Sequence, residues 1–286
     1  MAAFDPLAST YDAAFTQTAT GQYLRARVQA RLDRHFRAGD HVLELGCGTG
    51  EDALHLAERG VHVLATDASP AMLAITQAKA AGNPLIMVEK FDLRGLPALT
   101  PRPPLPQGEG KSKLVQVPLH EGEGRFAGVR AIFDGAFANF GPVNVLDDWR
   151  PLAVWLAERV KPGGIVGLGV MGPLCLWEIA WHGLHGDFRT AFRRGSGSAT
   201  FQAADSAEPL PVYYPSIARL KRDFAPGFRC IHVEALGLCL PPSDVYGVIE
   251  RRPRLLKRLM ALEDRLAGFA PLARLADHYW IEFERQ

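Results

Sequence analysis

Residues 42–60 read VLELGCGTGEDALHLAERG, and this stretch decides the fold. His41 to Leu45 is a short apolar run that ends at Gly46, as a buried strand does. Glycines follow at Gly46, Gly48 and Gly50, which lets the backbone turn tightly and approach a ligand without Cβ clashes. Glu51 to Arg59 then has a helical pattern, with Leu54, Leu56 and Ala57 for the buried side and Gly60 as the stop. The first N–H groups of that helix are free to meet a ligand. Val61 to Thr66 reads as the next strand, and Asp67 ends it, 21 positions after Gly46. A carboxylate there can accept from both hydroxyls of a ribose. Together these elements describe a nucleoside site at the C-terminal edge of a doubly wound sheet.

Working outward, Ser69-Pro70 is a helix cap with proline at the first helical position, and that helix runs to Gly82. Strands are expected at Leu85–Val88, Ile132–Phe137 and Ile165–Met171, with a helix from Asp147 that ends at Lys161-Pro162-Gly163-Gly164. Repeated strand–helix–strand units imply an α/β fold, a mostly parallel sheet with helices on both faces. Residues 97–128 break the rhythm. They are rich in Pro and Gly, and PLPQGEGK (104–111) returns as PLHEGEGR (118–125), identical at five of eight positions. Two polar copies build no solenoid, so an inserted, flexible surface loop is expected.

Further on, Leu174–Phe192 is helical in pattern, Ser216 caps a helix to Phe224, and Arg229–Leu236 is strand-like. Leu255, Leu256, Leu259, Leu262 and Leu266 form a helical stripe expected to face the core. His278 to Glu284 alternates, with Tyr279, Ile281 and Phe283 facing one way, which predicts a half-buried strand at the end of the sheet.

Bulk properties bound the partners. The 286 residues are 48% hydrophobic and 22% charged, ordinary globular values that fit a single domain over 1–286. Lys plus Arg is 32 and Asp plus Glu is 31, so no global field attracts a polyanion. The basic residues Arg251, Arg252, Arg254, Lys257 and Arg258 read as a solvated helix face rather than a nucleic-acid site. Cys47, Cys175, Cys230 and Cys239 form no C-x-x-C pair, so neither a disulfide framework nor a metal site is expected. The start, MAAFDPLASTYD, lacks a basic leader, and Gly163–Trp177 is too short and too broken to span a membrane. A cytoplasmic protein, monomer or homodimer, is the expectation.

The nucleoside is narrowed by charge. The position three after Gly48 is Glu51, where a dinucleotide fingerprint has glycine. Glu44, Glu51 and Asp52 surround the turn, a poor setting for a pyrophosphate and a good one for a ligand with a ribose, a zwitterionic amino-acid end and a positive centre. S-adenosylmethionine is such a ligand.

At this point the sequence resembles the class I S-adenosylmethionine-dependent methyltransferases, in particular the small-molecule type 11/type 12 group. The motifs are VLELGCGTGEDALHLAERG (42–60), VLATDASPAML (63–73), Phe91-Asp92-Leu93, FDGAFANFGPVN (133–144) and KPGGIVGLGVM (161–171). The resemblance implies a Rossmann-like, seven-stranded, mostly parallel sheet and an inserted helical cap over 172–215 after the fifth strand. It implies S-adenosyl-L-methionine as cofactor. Glu44 would orient the glycine loop or reach the methionine amine, and Gly46, Cys47, Gly48 and Gly50 would wall the methionine and ribose. Asp67 would hold the ribose hydroxyls, with Ala68 and Met72 beside the adenine. Asp92 would accept from the adenine amine, flanked by Leu93. Asn139 and Phe140 would line the methionine end, and Tyr11 would close over the cofactor.

The acceptor is expected to be a small apolar or aromatic molecule, because Trp177, Trp181, Phe188, Phe192, Phe201, Tyr213 and Tyr214 crowd the insertion. No general base stands out: His182, His185, His232 and His278 are scattered, and the sequence shows none with a carboxylate partner. A non-catalytic binder of the same cofactor and a nicotinamide-dependent oxidoreductase are the alternatives.

Overall fold

The computed structural model describes residues 4–96, 132–201 and 209–286. The chain opens with a short helix, α1 (Ala8–Tyr11), one π-helical turn over Asp12–Thr16, and a long helix, α2 (Ala19–His35). Then come β1 (His41–Leu45), α3 (Glu51–Glu58), β2 (His62–Asp67), α4 (Pro70–Lys79) and β3 (Ile86–Lys90). Past residue 132 lie β4 (Phe133–Ala138), α5 (Arg150–Ala157), β5 (Val160–Met171), α6 (Leu176–Leu184) and α7 (Phe188–Ala191). A hairpin of β6 (Ser198–Phe201) and β7 (Leu210–Tyr213) precedes α8 (Ile217–Phe224) and β8 (Phe228–Leu236). The chain ends with α9 (Tyr246–Glu250), α10 (Pro253–Leu266) and β9 (His278–Arg285).

Seven strands pair in the order β3-β2-β1-β4-β5-β9-β8, all parallel except β9, which runs against both neighbours. This is the expected doubly wound sheet. Its order switches direction between β1 and β4, and the crevice beyond the strand ends at such a switch point is where open α/β sheets bind ligands.

Local chemistry explains the helix starts. Thr18, Ser69 and Ser216 cap α2, α4 and α8, each side-chain oxygen accepting an N–H of the first turn. Strand pleating explains the two cores. Leu43, Leu45, Val166 and Leu168 bury on one face, and Val42, Val63, Ala65 and Phe137 on the other.

Four expectations need correction. The Lys161–Gly164 turn belongs to β5, and α5 already stops at Ala157; a bulge between Phe133 and Gly135 absorbs the extra residues. β9 is not half buried at the end of the sheet, because β8 pairs outside it. Tyr279, Ile281 and Phe283 fill one core while Trp280 fills the other, and Glu282 is fully buried between them. The segment 172–215 is not wholly helical, since β6 and β7 follow α6 and α7. The Leu stripe of α10 is only partly core: Leu256 is buried, but Leu255 and Leu262 are exposed. The expected loop over 97–128 lies outside the described residues.

Candidate functional site

The glycine turn is clamped before it meets any ligand. The N–H groups of Gly46 and Cys47 both donate to the Thr66 carbonyl, at 2.7 and 2.8 Å, which ties the end of β1 to β2. Gly48 has φ +54° and open space where a side chain would sit, except for Tyr11 Cε1 at 3.9 Å. Gly50, at φ +84°, caps α3, and a Cβ there would stand 2.6 Å from Thr76 Cγ2. Only glycine meets both demands, a left-handed backbone and close approach. The Cys47 thiol rests against Thr76 at 3.8 Å, and burial pushes its pKa well up, so it serves packing.

A cavity of about 500 Å³ opens beyond the strand ends. Of the residues singled out from the sequence, Tyr11, Gly46, Gly48, Asp67, Ala68, Met72, Asp92, Leu93, Asn139 and Phe140 line it. Glu44, Cys47 and Gly50 do not reach its wall and stand behind it.

Asp67 faces the glycine turn across one end. Its Oδ2 accepts the Gly48 N–H at 2.9 Å and its Oδ1 the Ser69 N–H at 2.8 Å. Burial raises its pKa, against the pull of the Ser69, Gly48 and Ala68 amides. Each oxygen keeps a further lone pair toward the cavity. Asp92 stands at the mouth. It caps the turn Leu93–Gly95 and is held by Arg94 Nη2 at 2.6 Å, which lowers its pKa. Phe91, which sequence reasoning left unassigned, also lines the cavity and stacks on Trp155 at 5.1 Å between ring centres.

Behind the wall lies a buried acid cluster. Asp52 accepts from Arg25 Nη1 at 2.7 Å, Gln29 Nε2 at 3.1 Å and Asn139 Nδ2 at 2.9 Å. Glu44 is 2% exposed, and its Oε2 meets no donor among the described residues. Burial, with Asp52 close by, raises its pKa well above the usual carboxyl range. Asn139 Oδ1 is likewise buried and bare. Each is a buried acceptor left unsatisfied, costly unless a donor arrives.

The N-terminal segment roofs this end. Asp12 accepts from Lys79 Nζ and Thr49 Oγ1, both at 2.6 Å, and Asp5 accepts from Ser69 Oγ at 2.5 Å. Burial, with Asp52, Asp67 and Asp12 nearby, raises the Tyr11 phenol pKa.

The far end was not foreseen. Asn144, fully buried, ties β5 to the hairpin: its amide donates to the carbonyls of Met171 at 3.0 Å and Tyr213 at 2.6 Å. Asp277 and His278 form a pair, with His278 Nδ1 2.9 Å from Asp277 Oδ2. Asp277 also takes Arg194 Nη2 at 2.6 Å, and Arg194 and Arg193 both bind Glu178. The expectation that no histidine has a carboxylate partner therefore falls, since His232 also meets Glu234 at 3.1 Å. The signal was present as the dipeptide Asp277-His278 at the mouth of a strand. Of the aromatics assigned to an acceptor pocket, Phe201 and Tyr214 line the cavity. Phe188 and Phe192 point to solvent, and Trp177 and Tyr213 pack against the two cores.

The methyltransferase-domain family matches residues 42–102, the β1–β3 half of this site. Over 85 residues the chain is 35% identical to the demethylmenaquinone methyltransferase of Symbiobacterium thermophilum, covering 28% of this chain and 34% of that one. The chain thus matches only about a third of the length of the curated relatives it resembles. Among solved structures, it is similar to the CcbJ methyltransferase of Streptomyces caelestis, with a TM-score of 0.52 and 15% identity over 92% of this chain and 96% of that one. An S-adenosylmethionine dependent methyltransferase from Mesorhizobium loti gives 0.50 and 16% over 90% and 96%. At such identities the structures speak for the fold alone. Residues 42–102 thus match a methyltransferase-domain model, and the sheet order is the fold of solved S-adenosylmethionine-dependent methyltransferases.

Proposed function

We propose that the protein binds S-adenosylmethionine in this cavity and methylates a small, largely apolar acceptor. One observation carries the reading. Gly48 and Asp67 stand side by side on the cavity wall, joined by a 2.9 Å hydrogen bond, while Asn139, which also lines the cavity, has a bare Oδ1. A ribose suits the first pair, and an ammonium group suits the bare Asn139 oxygen.

The residue roles follow from placement. Asp67 accepts from the ribose hydroxyls with its remaining lone pairs. Ala68, Met72 and Leu93 flank the adenine, and Asp92 shares its carboxylate between Arg94 and the adenine amine. Gly46 and Gly48 form the loop wall, while Cys47 and Gly50 hold its shape from behind. Asn139 and Phe140 line the methionine end. Glu44, off the wall, orients the loop and sets the charge felt by the amine. Tyr11 closes the roof. When bound, the cofactor supplies an electrophilic methyl on a sulfonium whose leaving group is neutral. The protein's own share is alignment and exclusion of water, effects that can be worth ~7–11 kcal/mol.

The lining beyond Phe140 includes Met171, Phe201, Leu210 and Val212, which favours an apolar acceptor body. A relative named for demethylmenaquinone fits a lipophilic acceptor, though the match covers only 28% of this chain. Residues 1–286 act as one catalytic unit, with the segment 172–215 as the acceptor roof. No described helix is long and apolar enough to cross a membrane. We read the protein as a cytoplasmic monomer or homodimer with no nucleic-acid substrate, in keeping with its formal net charge of +1.

Calorimetric titration with S-adenosylhomocysteine tests the reading. The expected result is saturable binding by the wild type and a loss of about 10- to 100-fold in Asp67→Ala, the worth of hydrogen bonds to a charged group. Binding of a nicotinamide dinucleotide instead would overturn it. Incubation with methyl-labelled S-adenosylmethionine and a metabolite extract then separates an enzyme from a silent binder.

A further inference from the structure

At the far end of the cavity, His278 is placed as a proton acceptor. Its Nδ1 lies 2.9 Å from Asp277 Oδ2, so the neutral ring carries its proton on Nδ1 and leaves a lone pair on Nε2. Nε2 bonds no group among the described residues. It stands 3.8 Å from where a Cβ on Gly141 would be, at the tip of the β4 turn that also lines the cavity.

The ring is held on both sides. Asp277 is itself fixed by Arg194, whose Nη1 donates to the Asp277 carbonyl at 2.8 Å and whose Nη2 reaches the carboxylate at 2.6 Å. On the other side Phe140 meets His278 edge to face, with ring centres 6.0 Å apart. Phe140 has φ +55°, the one non-glycine residue with positive φ among the described residues. A bulky side chain held in the left-handed region costs energy, and such strain gathers at functional sites. Phe15 packs against Phe140 at 4.7 Å and Arg25 lies over its ring at 5.3 Å, so the strained residue cannot relax toward solvent.

We propose that His278, positioned by Asp277, is the general base of the reaction, and that the acceptor is therefore a hydroxyl compound with an apolar body. This rests on the methyltransferase reading above. The hydroxyl oxygen forms its bond to the methyl carbon while the carbon–sulfur bond breaks with its electron pair going to sulfur. The hydroxyl proton passes to His278 Nε2, and the resulting imidazolium is stabilised by the Asp277 carboxylate. A sulfonium displacement on a thioether or a free amine needs no such base, so an oriented imidazole at this end selects for O–H acceptors. Asp277 bonds the ring and Arg194 bonds Asp277, while Arg193, Arg194 and Tyr214 line the same cavity and both arginines bind Glu178.

The experiment uses the full chain with 2-naphthol as hydroxyl probe and 2-naphthalenethiol as its thiol counterpart. Side-chain ¹⁵N spectra at pH 8 with S-adenosylhomocysteine bound should show His278 as the Nδ1–H tautomer, perturbed when 2-naphthol is added. His278→Gln should keep S-adenosylhomocysteine affinity within about twofold and slow methylation of 2-naphthol by about 10²- to 10⁴-fold, the range of general-base catalysis. Its thiol rate should change far less. Asp277→Asn should lower the rate and shift the pH profile, and added imidazole should restore part of the rate in His278→Gly. An Nε2–H tautomer, a wild type that spares 2-naphthol while methylating the thiol, or an undiminished His278→Gln overturns the proposal. Failure of the wild type to bind S-adenosylhomocysteine overturns the methyltransferase reading instead.

Discussion

Glu44 shows how one residue can trade stability for a site. Its carboxyl is buried beside Asp52 with one bare oxygen, and its pKa is raised. A raised carboxyl pKa means that the folded chain holds the proton more tightly than the unfolded chain. The penalty is therefore absent at low pH and grows as pH climbs above the ordinary carboxyl value. Glu44→Gln removes the charge, so its melting temperature at pH 7 should exceed that of the wild type, with the gap closing near pH 4. The same variant should bind S-adenosylhomocysteine more weakly, because a neutral amide attracts an ammonium less. Thermal melts across pH and a titration check the two halves separately. At this scale the sequence was informative where geometry is local. Gly46, Gly48, Asp67 and Met72 follow from a strand, a turn and a helix start, and they line the cavity. His278 was noticed but given no role, because its value comes from Gly141, Arg194 and Phe140, which only the tertiary fold brings near.

Among elements, the N-terminal segment is the most exposed to test. It carries α1 and a π-helical turn, a form common at functional sites. It is pinned to the fold by few bonds, chiefly Asp12 to Lys79 and Thr49, and Asp5 to Ser69. Its partners sit on α4 and on the glycine turn, so the roof is anchored to the same elements that wall the cavity. Asp12→Ala should leave the global melting temperature within about 2 °C, since partly exposed ion pairs contribute little. It should weaken S-adenosylhomocysteine binding about fivefold, an effect of about 1 kcal/mol. Amide exchange over Asp5–Thr16 should quicken in the free protein. The sequence flagged Tyr11 but could not show the pinning, because Asp12 and Lys79 are 67 positions apart. The hairpin β6–β7 was missed for a related reason: its strands are four residues each, too short for a period to declare itself.

Across the whole molecule, acid should act first through the seam between α2 and β9. Glu282 is fully buried on β9 and accepts from Arg31 Nε at 2.8 Å, His35 Nε2 at 3.1 Å and Trp280 Nε1 at 2.8 Å. Burial alone would raise its pKa, but the bonds from His35, Arg31 and Trp280 outweigh it and hold the carboxyl at about 2. A depressed carboxyl pKa gives stability that is whole above the unfolded value and is lost as pH falls through the folded one. For Glu282 that window runs from about pH 4.5 down to about 2. Asp277, at the head of the same strand, is depressed further by His278 and Arg194 against its own burial, so it adds loss in the same direction. The alternation of β9 predicted a strand, yet not that β8 would cover it and bury both faces. That covering turns Glu282 from a surface acid into a clasp. Urea unfolding of the wild type should show a midpoint that drops steeply between pH 4.5 and 2.5. Glu282→Gln should be less stable at pH 7 by about 3 kcal/mol, the cost of leaving a buried arginine unpaired, with a flatter decline over the acid window. If the two proteins instead lost stability in parallel below pH 4.5, the acid sensitivity would reside elsewhere, and the α2–β9 seam would be an ordinary packing contact.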